Sequence, residues 1–159
     1  MGLDHWLTRG TLDNEREVLV TWRKENWLHN WFLTHCAPRR DPDDQSPIPV
    51  RKADVEELRN TIKRVLKYAK KFMGDKLKEL DYRTEEDTEG HRELRKKTED
   101  ELKLEKYCDA HLPAQCGCFF GSTEYDHWYF EALEQELMQL NGVLEYWDDT
   151  KQYWYECWW

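Results

Sequence analysis

No stretch of this chain approaches the roughly 18 consecutive apolar residues that a membrane span needs. Nor does a basic segment followed by an apolar core open it, as in a secretory leader. The start Met1-Gly2 lacks the Ser or Thr at position 6 that a myristoylation signal wants, because Trp6 stands there. These absences predict a soluble intracellular protein with no membrane partner. Positive charge is also short: 24 Lys and Arg face 33 Asp and Glu, a formal net charge of -9. Such a field opposes direct, non-specific binding to DNA, RNA or anionic lipid. Gly-x-Ser-x-Gly, a phosphate loop, a dinucleotide fingerprint and His-Glu-x-x-His are all missing, so no enzyme class is supported and no cofactor is expected. The five cysteines are an odd number in a chain of 159 residues, large enough to fold without staples, and reduced thiols are expected.

What the chain has in quantity is aromatic surface. Aromatics make up 14% of it and nine residues are Trp, a payload that disordered sequences lack. A single domain over residues 1–159 is predicted. Leu3, His5 and Leu7 alternate with polar or amphipathic neighbours, as do Val18, Val20 and Trp22, which suggests two short strands around a polar turn from Thr8 to Glu15. From about Thr21 the spacing becomes helical, with Trp27, Leu28, Trp31, Phe32 and His35 on one stripe until Pro38. Ala37 to Pro49 reads as an exposed loop. Val55, Leu58, Ile62, Val65, Ala69 and Phe72 then define a long amphipathic helix ending near Gly74. Between Asp75 and Lys106, 21 of 32 residues are charged, and this stretch reads as a helical or partly disordered insertion with a break near Asp87 to Gly90. Gly117 to Gly121 resembles a short buried strand around Phe119-Phe120. A last helix is expected to begin at Ser122 or Thr123 and to bury Tyr129, Leu133, Leu137, Leu140 and Leu144. The result is an α+β fold dominated by three or four helices, with a few short strands. Seven aromatics between Tyr146 and Trp159 could close the chain's own core or pack on another copy. Because the two preceding helices already supply facing apolar stripes for one core, packing on another copy is the reading favoured, and it predicts a homo-oligomer, a closed dimer ahead of a tetramer.

Three constellations carry candidate chemistry. Arg23, Lys24 and Asn26 share the polar side of the first helix, where a cation and an amide suit phosphate and base edges; ordinary surface salt bridges explain the same letters. Ser122, Thr123, Glu124, Tyr125 and Asp126 follow Gly121 at a helix start. There hydroxyls and free amides face an anion, carboxylates can accept from a guanine-like edge, and Tyr125, Trp128 or Tyr129 can stack on a base; a plain capped helix explains them equally. Cys108, His111, Cys116 and Cys118 are soft ligands in eleven residues, but their spacing fits neither common paired-Cys zinc pattern, and no metal is assigned to them.

The opening Met1-Gly2-Leu3-Asp4, the segment Trp22-Arg23-Lys24-x-Asn26 with His29 and Trp31-Phe32, and the run Phe119-Phe120-Gly121-Ser122-Thr123-Glu124-Tyr125-Asp126 together resemble a group of small phage-encoded proteins. The likeness covers about half of the chain in three blocks, and the eight-residue third block is the specific one. The chain departs from the group at Trp6, at Cys116 and Cys118, and in the charged stretch. Through a link to phage anti-CBASS sponges, the resemblance implies a counter-defence protein in the cytoplasm of an infected bacterium. Such a protein sequesters a nucleotide immune signal, such as a cyclic dinucleotide, without catalysis. In that role Arg23 and Lys24 would neutralise phosphate, Asn26 and Asp126 would read base edges, Ser122 and Thr123 would donate to phosphate, and Tyr125 would stack. Two other classes compete with it. One is an acidic inhibitor or nucleic-acid mimic that blocks a host defence enzyme, and the other is a zinc-dependent hydrolase built on the Cys/His cluster.

Overall fold

The computed structural model describes residues 2–41, 43–83 and 94–159. Strand β1 (Asp4–Arg9) is followed by β2 (Glu17–Arg23), helix α1 (Asn26–Trp31), β3 (Ile48–Val50), α2 (Lys52–Met73), α3 (Glu99–His111), α4 (His127–Glu145) and β4 (Tyr153–Trp158). The fold is therefore mixed, with helices outweighing a small sheet, as the periodicities predicted. Every neighbouring strand pair is antiparallel and the order is β2-β1-β4-β3.

Alternation places one residue from each strand in a row across the inner face of the sheet. Val20, Leu7, Tyr155 and Ile48 lie side by side in register, and all four are buried. One step along, Trp22, His5 and Cys157 form a second row. The stripe of α1 closes over these rows, with the Phe32 ring stacked on Tyr155 at 4.3 Å between centroids. Helix α1 is shorter than its stripe suggested. It passes at Phe32 into a π-helical turn that ends at Cys36, next to the Pro38 that blocks continuation.

The apolar stripe of α2 is as expected at Val55, Leu58, Ile62, Val65 and Ala69, whereas Phe72 lies at the exposed edge. Helix α4 packs along α2 and buries Tyr129, Phe130, Leu133 and Leu140. The flanks of the charged stretch are tied into the core. Leu77, Leu80, Tyr82 and Leu104 are buried, and α3 starts in a reciprocal cap in which Thr98 Oγ1 accepts from Glu101 N while Thr98 N donates to Glu101 Oε2. Four apolar anchors spread over a charged segment suffice because the charges pair around them, as Arg95 does with Glu101 at 2.9 Å. The expected break near Asp87 to Gly90 lies outside the described residues.

Two local expectations are corrected. Residues 117–121 form a turn, with Phe120 N donating to the Gly117 carbonyl; Phe120 is buried while Phe119 is exposed. A residue at this turn has only one side to bury, so the apolar run marks an anchor beside an exposed ring. The last helix begins at His127, and Asp126 caps it by accepting from Tyr129 N at 3.3 Å. Ser122 spends its hydroxyl on Glu124 N, two residues on. The aromatic tail is also resolved: β4 lies between β1 and β3, and Tyr153, Tyr155 and Cys157 complete the inner face of the sheet. The tail thus closes this chain's own core. Of its aromatics, Tyr146 and Trp158 stay exposed.

Candidate functional site

The turn from β2 into α1 and the loop before α4 are far apart in sequence and adjacent in space. Lys24 sits at φ 65° and Gly121 at φ 96°, backbone states that let the two turns approach closely. A Cβ on Gly121 would lie 3.4 Å from Lys24 Cβ and 3.5 Å from the Lys24 carbonyl oxygen. Asn26 fastens the contact. Its Nδ2 donates to the carbonyls of Phe120 (3.2 Å) and Ser122 (2.8 Å), and its Oδ1 accepts from Gln115 N (3.1 Å).

Between these segments and the first half of α4 lies a cavity of about 440 Å³. Arg23, Lys24, Asn26, Ser122, Glu124 and Asp126 line it, so six of the eight residues singled out from the sequence converge on one space. Their parts differ from those expected. Asn26 is buried with three hydrogen bonds to the chain, and its amide joins the two turns. Tyr125 is turned inward: its hydroxyl accepts from Ala114 N and donates to Asp109, and its buried ring meets Tyr129 edge-on. A ring committed in this way offers no face to a ligand. Thr123 is exposed and outside the lining.

Five further lining residues had no part in the site expected from the sequence: Glu25, Trp27, Glu131, Ala132 and Gln135. Trp128, Glu131, Ala132 and Gln135 recur at three and four residues, one face of α4, which was the available signal. Trp128 is 58% exposed, a large ring left open at the cavity. Trp27 is buried and forms its floor.

The lining sets two cations, Arg23 and Lys24, beside four acids, Glu25, Glu124, Asp126 and Glu131. Lys97 reaches Glu124 at 2.6 Å and neutralises part of that acidity. Burial raises the Asp126 carboxyl from its ordinary value, outweighing the Tyr129 amide that favours its charge. Arg23 is 3.8 Å from Asp4 with most of its side chain in solvent, leaving the guanidinium available. Such a lining suits a ligand that carries both an anionic group and N–H donors. A second cavity, of about 470 Å³, lies along β2 and the end of α4, but its two ionic residues, Arg9 and Glu17, pair with each other at 2.6 Å.

The soft-ligand cluster does not assemble. Cys108 is buried in α3 with its thiol pushed up to about 12 by burial, His111 stacks on Tyr107, and Cys116 and Cys118 are exposed. Among the described residues no three His, Cys, Asp or Glu side chains are placed to hold a metal ion. Among the same residues no helix is long and apolar enough to cross a membrane.

No protein-family model matches the chain, and neither the curated proteins nor the solved structures give a match.

Proposed function

We propose that this chain is a non-catalytic binding protein for a small nucleotide, held in the cavity between the Arg23–Trp27 turn, the Gly121–Asp126 loop and α4. The observation that carries the reading is the meeting of those separate segments around one cavity with cations, acceptors and an open indole. A nucleotide is the matching bipartite ligand. Arg23 and Lys24 would take the phosphate, Glu131 and Asp126 would accept from base N–H groups, and Trp128 would stack, the part first assigned to Tyr125. The cavity falls within the roughly 300–1,000 Å³ of small-molecule sites.

The biological role, sequestration of a cyclic-dinucleotide signal of bacterial defence by a phage protein, is carried by the family resemblance. Assembly into a dimer or tetramer is a separate part of that role, to be read by light scattering at several concentrations. Against the decoy reading, acids on α3, on α4 and before α4 are paired with lysines, Glu134 with Lys70, Glu99 with Lys103 and Glu124 with Lys97.

The test is titration calorimetry with a panel of linear and cyclic nucleotides, on the native protein and on Arg23→Ala. The variant is expected to stay folded and to lose about 1.5–3 kcal/mol of affinity, the scale of a hydrogen bond to a charged group. No binding by the native protein, or equal affinity for both, ends the proposal.

A further inference from the structure

We propose that Cys116 and Cys118 form a reversible dithiol site, which exchanges with a small disulfide of the glutathione type and closes into an intramolecular disulfide across Gly117. The site does not depend on which ligand the cavity takes.

The five cysteines divide by burial. Cys108 and Cys157 are buried and Cys36 is half-buried, and burial pushes each of these three thiols up to about 12. A thiol kept protonated inside the fold neither attacks a disulfide nor is reached by one. Cys116 and Cys118 are exposed. They are the two thiols of the chain that a soluble disulfide can meet, and a single residue separates them.

Chain spacing and backbone both permit the bond. Two steps of chain cannot hold Cα atoms more than about 7 Å apart, and a disulfide spans Cα atoms about 4.4–6.8 Å apart. The residue between them is glycine for a packing reason, since a Cβ on Gly117 would collide with the ring of the buried Phe120. The same lack of a side chain gives the backbone the freedom that closure of so small a ring requires. The flanks are fixed. Asn26 Oδ1 accepts from Gln115 N at 3.1 Å and Asn26 Nδ2 donates to the Phe120 carbonyl at 3.2 Å, so one side chain holds both feet of the arch that carries the two cysteines. Inside the arch, Phe120 N donates to the Gly117 carbonyl at 3.2 Å. When one thiol of the pair has reacted, the other is therefore at hand, the arrangement of an attacking and a resolving cysteine.

The exchange runs in two steps. One cysteine, as thiolate, attacks a sulfur of the small disulfide; a mixed disulfide forms, the S–S bond of the small molecule breaks, and the thiolate released takes up the proton that the cysteine gave to water. The other cysteine, as thiolate, then attacks the protein sulfur of the mixed disulfide. The Cys116–Cys118 bond forms, the bond to glutathione breaks, and a second small thiol leaves with the second proton. Two protein thiols are thus oxidised by two electrons while one small disulfide is reduced to two thiols. Excess small thiol drives both steps backwards, and an exposed disulfide of this kind is the labile sort.

The test uses the full-length folded protein, reduced, freed of reductant and equilibrated with glutathione disulfide. It is then blocked with iodoacetamide and weighed by mass spectrometry, whole and as peptides. The native protein is expected to lose the mass of two hydrogens, to carry no glutathione, and to show Cys116 and Cys118 unalkylated in one peptide. Excess reduced glutathione should restore both thiols. Cys116→Ser and Cys118→Ser should each stop at the mixed disulfide and retain one glutathione, because the resolving thiol is gone. Glutathione retained by the native protein overturns the site. So do Cys116 and Cys118 that remain alkylated, a bond to another cysteine or to a second copy, and a bond that excess glutathione leaves closed. Should a serine variant not fold, the masses of the native protein decide alone.

Discussion

Asn26 Nδ2 donates to the carbonyl of Ser122 at 2.8 Å, joining residues that lie 96 positions apart. Through this one amide the turn after β2 and the loop before α4 become opposite walls of a single cavity. Asn26→Ala leaves the Phe120 and Ser122 carbonyls and the Gln115 amide without their partner. An unsatisfied buried group costs about 1–3 kcal/mol, so with partial relaxation we expect a loss of about 2–3 kcal/mol in urea-induced unfolding. Asn26→Asp should be nearly as damaging, since a carboxylate cannot donate to two carbonyls.

Trp128 gives the opposite profile. Its ring is mostly in solvent, so Trp128→Ala should change stability by less than about 0.5 kcal/mol. If the nucleotide reading holds, the same change should weaken binding by about 1–3 kcal/mol, the value of stacking a base on an aromatic ring. Calorimetry and thermal melts on one preparation separate the two effects.

Stability should fall as the pH rises past neutrality. The folded Glu136 keeps its proton to about 8, whereas the unfolded carboxyl releases it near its ordinary 4.5, so the native state binds more protons between these values and loses stability as pH increases. His29 acts in the other direction. Lowered from 6.5 to about 4, it makes the native state bind fewer protons in that range, and stability falls as pH decreases. His5, also lowered from 6.5 by burial, acts in the same direction as His29, so these slopes oppose that of Glu136 below about 6.5, and from there to about 8 the Glu136 slope, at most about 1.4 kcal/mol per pH unit, leads the decline. Denaturation series from pH 5 to 9 should show that decline in the native protein and a flatter curve in Glu136→Gln.

Removal of Tyr153–Trp159 should abolish the fold rather than release a monomer. Among the described residues β4 is the one strand paired with β3 and one of two paired with β1, and its Tyr155 stacks under Phe32. The truncated chain is expected to lose cooperative thermal unfolding and dispersed amide resonances. A folded, soluble truncation would show that the sheet does not need its third strand.

Amphipathic period is a local property, and it made α2 and α4 legible: Val55 to Ala69 and Tyr129 to Leu140 recur on one face whatever they pack against. The strands β1 and β2 follow in the same way from alternation. Composition likewise determined that the chain has enough aromatic surface for a core, and the cluster from Gly121 to Asp126 stood out by its letters. Where the aromatic tail goes could not be read locally, since Tyr153, Trp154, Tyr155 and Trp158 carry the same apolar surface for a strand of their own sheet as for a second copy. Only the pairing of β4 with β1 and β3 decided it. The tertiary structure also divided the candidate site. Asn26 and Tyr125 are polar groups that the approach of distant segments buried, and a buried polar group must spend its hydrogen bonds on the chain. Trp128 and Glu131 were left facing open space by that approach, and the Glu136 carboxyl is raised by its burial and by the carboxylate of Glu25 in the turn before α1. Period and composition are written residue by residue, whereas solvation and charge proximity arise only when elements far apart in the chain are brought together.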